Sequence, residues 1–218
     1  MINIQNHNEM NHLIIIGAGG MGRTIYSNAL ESVGYGVTFD IKGFIDDNPD
    51  ALYGFDGYPA VIGAIRNYVP VPGDVFVSSI GGASRRPCME EIIARGGEFM
   101  ELVHLTARIY QGAKLGKGNF IGAYTVIGND AVVGDYNMIQ SYTVIGHDAR
   151  IGSWNRIDTH VTCVGGTMVE DDVNIHTGAV ISHNVKVERG AHVGACSFVI
   201  KKVKAGTTVM GNPAKKLV

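Results

Sequence analysis

The sequence predicts an α/β unit with a parallel sheet, followed by an all-β solenoid of six-residue repeats. Three observations predict it. A glycine-rich loop, Gly17-Ala18-Gly19-Gly20-Met21-Gly22, lies between an aliphatic run and a helical stretch. From Ile109 to Val199 an aliphatic residue recurs every six positions, with Cys163 the one exception. Glycine, 30 of 218 residues, is about twice its usual share of ~7% and divides evenly, 15 up to Arg108 and 15 after.

Composition narrows the function classes. Net charge is −2 and only 17% of residues are charged, so no broad basic field exists for nucleic acid or anionic lipid. A hydrophobic share of 45% suffices for a core. Three well-separated cysteines do not form a disulfide scaffold and fit a reducing cytoplasm. No apolar run reaches the ~20 residues of a membrane span. Residues 1–11 read as a flexible tail, polar and without the basic start of a signal peptide.

The first unit is expected over residues 12–103. Leu13-Ile14-Ile15-Ile16 reads as a buried parallel strand, and a helix is expected from Arg23 to Val33. A strand, a G-x-G-x-x-G loop and a helix in that order form the context in which backbone N–H groups meet a phosphate. A second strand, Ile41 to Ile45, ends in Asp46-Asp47, whose carboxylates suit ribose hydroxyls or a base N–H. A third, Val75 to Ile80, ends in Gly81-Gly82 and leads into a helix from Ser84 to Arg95. About 90 residues make one half of a dinucleotide fold, which suits a nucleotide-diphosphate sugar better than NAD. Arg85-Arg86 are read as two solvated arginines beside that site.

The second unit is expected over residues 104–218. Asn, Thr or Ala sits two positions before most of the repeating aliphatics, and both must face inward because strand side chains alternate. Glycine follows the aliphatic at 116, 122, 128, 134, 146, 152 and 194 and is read as serving the corners. The residue before each aliphatic faces outward. With three hexads to a coil, one outward face reads Val126, Val144, Thr162, Val180, Phe198. An apolar row turned from the core predicts packing against neighbouring subunits, in a homotrimer. The pattern resembles the left-handed parallel β-helix of hexapeptide-repeat acyltransferases.

His147-Asp148 follows Ile145-Gly146 and so lies at a corner. A surface His beside a surface Asp is common; at a corner facing a subunit boundary the pair becomes a base with its carboxylate. One coil on lies Gly165, whose bare N–H suits a thioester oxyanion, and another coil on lies His183. Thr159, Thr177 and Ala195 hold the matching position on a second edge. Cys163 occupies an inward site and reads as an inert thiol. Trp154 is expected between subunits or under a cofactor.

From about Leu13 on, the chain resembles bacterial nucleotide-sugar acetyltransferases, which act on UDP-4-amino sugars, GDP-perosamine or sialic acid. The motifs that carry the resemblance are the glycine loop, Phe44-Ile45-Asp46-Asp47, Ile80-Gly81, Ile145-Gly146-His147-Asp148 and Gly211-Asn212-Pro213-Ala214-Lys215. It implies direct transfer from acetyl-CoA, with catalytic roles for His147 as general base, Asp148 as its acid and Gly165 as oxyanion donor. It implies cofactor contacts from Arg156, Gly165, Thr177, Ala195 and Asn212. It implies nucleotide-sugar contacts from Gly19, Gly20, Met21, Asp46, Asp47, Gly81 and Gln140, and no metal. Three positions depart from the family pattern, which often has His at 21 and 156 and Asn at 140. A γ-carbonic-anhydrase-like metalloenzyme is the alternative, but Glu188 stands where its third histidine is required. A non-catalytic β-helix binding protein leaves His147, Asp148 and Gly165 without a reason.

Overall fold

The structure is a computed structural model, and it describes residues 10–217. The expected tail falls largely on residues 1–9, outside the described residues; Asn11 already opens the first strand. The chain divides into two compact units between Phe99 and Met100. The expected division after residue 103 moves four residues back because Leu102-Val103 pairs with Phe120-Ile121 and so joins the solenoid.

In the first unit, β1 (Asn11–Ile16), β2 (Phe39–Ile45), β3 (Val61–Gly63), β4 (Asp74–Ser78) and β5 (Glu98–Phe99) form a five-stranded sheet. The strand order is β3-β2-β1-β4-β5 and every pairing is parallel. Helices α1 (Gly20–Leu30) and α2 (Arg85–Ala94) occupy the two expected helical stretches, α1 ending three residues early. Leu13, Ile14, Ile15 and Ile16 are fully buried. The order reverses between β1 and β4, so their C-terminal ends open a crevice at the switch point. Asp74 ties β4 to β2: it accepts from Lys42 Nζ at 2.6 Å and from Tyr68 Oη at 2.8 Å. Burial pushes its carboxyl up, but the bonds from Lys42, the Val71 N–H and Tyr68 outweigh that and leave it below its usual range.

The second unit is the expected left-handed parallel β-helix. Two-residue strands stack into three parallel sheets with a spacing of 18 residues, as in Val126↔Val144↔Thr162↔Val180. From Ile121 to Val199 every repeating aliphatic, with Cys163, is buried in one core. Burial pushes the Cys163 thiol up to about 12, so it is inert, as the inward position predicts. Ile109 is exposed and Leu115 only half-buried, since they belong to the first coil. The 18-residue period ends after Val199: Val187 bridges Val203 and His192 pairs with Thr208, spacings of 16. The chain then closes with an antiparallel hairpin, Thr208–Gly211 with Ala214–Lys216.

The glycines of the repeat do a different job from the one expected. The corner residue with positive φ comes three positions after the aliphatic, and it is often not glycine: Tyr124, Asp130, Tyr136, Tyr142, Asp148, Trp154 and His160 all adopt it. The glycine directly after the aliphatic instead permits close stacking of coils. A Cβ on Gly128 would lie 2.6 Å from the His147 nitrogen, and one on Gly146 2.6 Å from the Gly165 nitrogen.

Inside the solenoid, Asn119, Asn137 and Asn155 are fully buried one coil apart. Each side-chain oxygen accepts the backbone N–H one coil on: Asn119 from Asn137, Asn137 from Asn155 and Asn155 from Val173, all at 2.8 Å. Asn137→Ala orphans the Asn155 N–H, and an unpaired buried donor costs about 1–3 kcal/mol. Denaturant unfolding should show a loss of that size; an unchanged midpoint would mean that the ladder contributes nothing.

Candidate functional site

The phosphate loop of the first unit is built as its glycines predict. Gly17 takes φ +91, and a Cβ on Gly22 would strike the Gly17 carbonyl, so only glycine lets α1 pack this close to β1. Nothing lies within 4 Å of a Cβ on Gly19, which is the N-cap of α1 and has no side-chain cap. Gly19 and Gly20 are exposed and Met21 half-buried, so the first helical N–H groups face open space.

Asp46 has a structural task that the sequence did not reveal. Its carboxylate accepts the Ala18 N–H at 2.8 Å and the Asn48 N–H at 2.9 Å, tying the loop to the end of β2. Asp47 is exposed and accepts the Arg66 N–H at 3.3 Å. Gly81 is exposed just past β4, next to Ser79 and Ile80. Ser79 Oγ donates to the Ile16 and Gly17 carbonyls at 2.8 and 3.0 Å and so fixes the crevice floor. Arg85 is buried, against the expectation of a solvated residue, and Arg86 pairs with Glu90 at 2.8 Å. Arg23, one residue past the loop, stacks over Phe55 at 3.6 Å. No motif pointed to that pair, because Phe55 lies in a long irregular connection.

The corner of the solenoid brings three predicted residues together. His147 Nδ1 lies 2.7 Å from Asp148 Oδ2, and both side chains are 65% exposed. With Nδ1–H donating to the carboxylate, the Nε2 lone pair is left free to accept a proton. Gly165 is buried directly beneath the ring: a Cβ there would lie 2.5 Å from His147 Nε2. Gly166 N–H donates to the His147 carbonyl at 2.9 Å, which locks the two corners in register. The Gly165 N–H has no acceptor among the described residues. The arrangement can take a proton at Nε2 and stabilise an oxygen nearby. His183 is exposed one coil further on. Glu188 is taken up by Lys202 at 2.7 Å and by the Ala205 N–H at 3.2 Å.

The second edge carries Thr159, Thr177 and Ala195, with Thr177 and Ala195 exposed. Their backbones stack through Gly178 N–H to the Thr159 carbonyl at 3.0 Å and Cys196 N–H to the Thr177 carbonyl at 2.9 Å. Beside them lies a polar cluster that sequence reading missed. Asp158 is buried; its Oδ1 accepts from Gln140 Nε2 at 2.6 Å and from Arg156 Nε at 2.7 Å. Its Oδ2 lies 3.1 Å from His176 Nδ1. Thr159 Oγ1 donates to Gln140 Oε1 at 3.1 Å. Positions 140, 158 and 176 are one coil apart, so the 18-residue step applied to polar residues would have found them. The expected assignment of Gln140 to the sugar and Arg156 to the cofactor meets the fact that one carboxylate oxygen holds both. Trp154 stacks on Tyr136 at 4.4 Å, and Tyr124, Tyr142 and His160 stack in a row. Asn212 is exposed in the turn of the terminal hairpin.

Comparison with known proteins agrees with both halves. Residues 12–94 match the PglD N-terminal domain, and residues 112–147 match the bacterial transferase hexapeptide (six repeats). The acetyltransferase domain of PglB from Neisseria gonorrhoeae, solved with acetyl coenzyme A, superposes with TM-score 0.85 at 27% identity, covering 96% of this chain and 100% of that one. PerB from Caulobacter crescentus, solved with CoA and GDP-perosamine, shares the fold, with TM-score 0.83 at 22% identity over 96% of this chain and 99% of that one. Among curated proteins, a tetrahydropyridine-dicarboxylate N-acetyltransferase of Clostridium perfringens is 48% identical over 48 residues, 22% of this chain. The chain spans about a fifth of the length of that relative, 20%. No helix among the described residues is long and apolar enough to cross a membrane. With a glycine loop of PglD type ahead of a hexapeptide solenoid, the chain joins a PglD-type N-terminal domain to a bacterial-transferase hexapeptide repeat and is similar to the acetyltransferase domain of PglB.

Proposed function

We propose that the chain transfers acetyl from acetyl-CoA to an amino or hydroxyl group of a nucleotide-linked sugar. The observation that carries this reading is His147, whose Nδ1 is held by Asp148 while Nε2 stands open over Gly165. The complexes of relatives with acetyl coenzyme A, and with CoA and GDP-perosamine, support the substrate classes. In the first unit, the open N-terminus of α1 at Gly19, Gly20 and Met21 suits the diphosphate, and Asp46, Asp47 and Gly81 flank the nucleotide. In the second, His147 Nε2 takes the proton from the sugar nucleophile as that atom attacks the thioester carbonyl. The Gly165 N–H stabilises the oxyanion. The carbon–sulfur bond then breaks, and CoA leaves with the proton carried by His147. Thr177, Ala195, Arg156 and Asn212 line the path of the cofactor. Incubating the protein with acetyl-CoA and UDP-, GDP- and dTDP-linked amino sugars, and reading free thiol, tests the proposal. One nucleotide series should release thiol well above the rate without sugar; no release from any member would reject it.

The working assembly in this reading is a homotrimer in the cytoplasm. The outward row Val126, Val144, Thr162, Val180 and Phe198 supports it, because Val144 and Phe198 stand exposed, as do Tyr124 and Tyr142. Opposed edges of two subunits then supply His147 from one and the Thr159–Thr177–Ala195 edge from the other. Sedimentation at micromolar concentration should give three times the mass of the chain, and a monomeric mass would rule the assembly out.

A further inference from the structure

We infer that Asp158 is a positioning residue for the acyl donor: it orders Arg156 and Gln140 so that they hold oxygen atoms of CoA. This rests on the transferase reading above. A carboxylate is seldom buried unless it is fully paired, and Asp158 is paired on both oxygens. Its partners come from three successive coils: Gln140, Arg156 two residues before it on its own coil, and His176. Such a carboxylate is costly as a device for stability, since apolar residues stack coils equally well elsewhere in this solenoid. What it does is orient.

Arg156 binds Asp158 through Nε, and its two terminal nitrogens meet no acceptor among the described residues. Gln140 is fixed at both ends, its nitrogen on Asp158 and its oxygen on the Thr159 hydroxyl, so its amide cannot flip. Arg156 and Gln140 share Asp158 Oδ1, which keeps their nitrogens no further apart than two hydrogen-bond lengths. The outward face of the pair is a set of N–H donors, which fits carbonyl or phosphate oxygens. The cluster adjoins Thr159, on the edge that continues through the exposed Thr177 and Ala195. Those residues line the proposed cofactor path. His176 adds a second imidazole held by a carboxylate at Nδ1.

The test is calorimetric titration of CoA into the wild-type protein, Asp158→Asn, Arg156→Gln and the double variant, with UDP and GDP titrated as controls. Hydrogen bonds involving a charged group are worth enough that each single variant should weaken CoA binding by about 10-fold or more. The double variant should be no weaker than the poorer single one, because both act through the same contact. Nucleotide affinity should not change. CoA affinity within twofold of wild type in a folded Asp158→Asn would overturn the inference. So would additive losses in the double variant, the mark of a structural carboxylate that does not act through Arg156. A wild-type protein that binds no CoA would overturn the transferase reading, and this inference with it.

Discussion

His147→Ala lowers the rate of acetyl transfer by about 10²–10⁴-fold, the usual worth of a positioned general base. The side chain is 65% exposed and, among the described residues, its ring bonds only to Asp148, so its loss leaves the fold intact. Melting temperature and CoA affinity should stay at wild-type values while thiol release collapses. That combination separates a chemical role from a packing role. Near wild-type turnover in a folded variant would remove His147 from the mechanism.

Gly165→Ala is the second large effect, and it reaches the same proton by another route. The added methyl would lie 2.5 Å from His147 Nε2 and 2.6 Å from Cε1. No real Cβ sits that close, so the exposed ring must swing away from its place. A displacement of about 1 Å in a catalytic group can cost about 10²-fold. Turnover should fall by that order with little change in stability. Gly146→Ala makes the contrast: its methyl would lie 2.6 Å from the Gly165 nitrogen, which is backbone and cannot swing. That variant should lose stability first, seen as a lower unfolding midpoint. A Gly165→Ala protein with full activity would mean that the ring position is immaterial.

These two glycines show how far the sequence could be read and where reading stopped. The six-residue period placed every strand of the solenoid from Ile121 to Val199, because inward burial leaves little freedom of residue type. It did not say why glycine follows the aliphatic. Period reports position, whereas the need for glycine came from the distance to the next coil. The actual turn residues, Tyr124 or Trp154 among them, carry no signature of positive φ. The pair His147 and Asp148 was legible because its members are neighbours in the chain. Asp158 was not, because its partners Gln140, Arg156 and His176 are spread over three coils and are not neighbours in the chain. In the first unit the glycine loop and β1, β2 and β4 were plain in aliphatic runs. The short β3 and β5 were not, since two or three residues give no period. The closing coil lost two residues of register where lysines replace the repeat, at Lys201, Lys202 and Lys204.

The central claim is direct transfer of acetyl from the thioester to a nucleotide-linked sugar at His147. The most direct test counts two products in one reaction: thiol released and acetylated sugar formed, the second by mass spectrometry. Equal amounts, with no acetyl group left on the protein, are the expected result. Thiol release without acetylated sugar, or acetyl accumulating on a protein side chain, would contradict it.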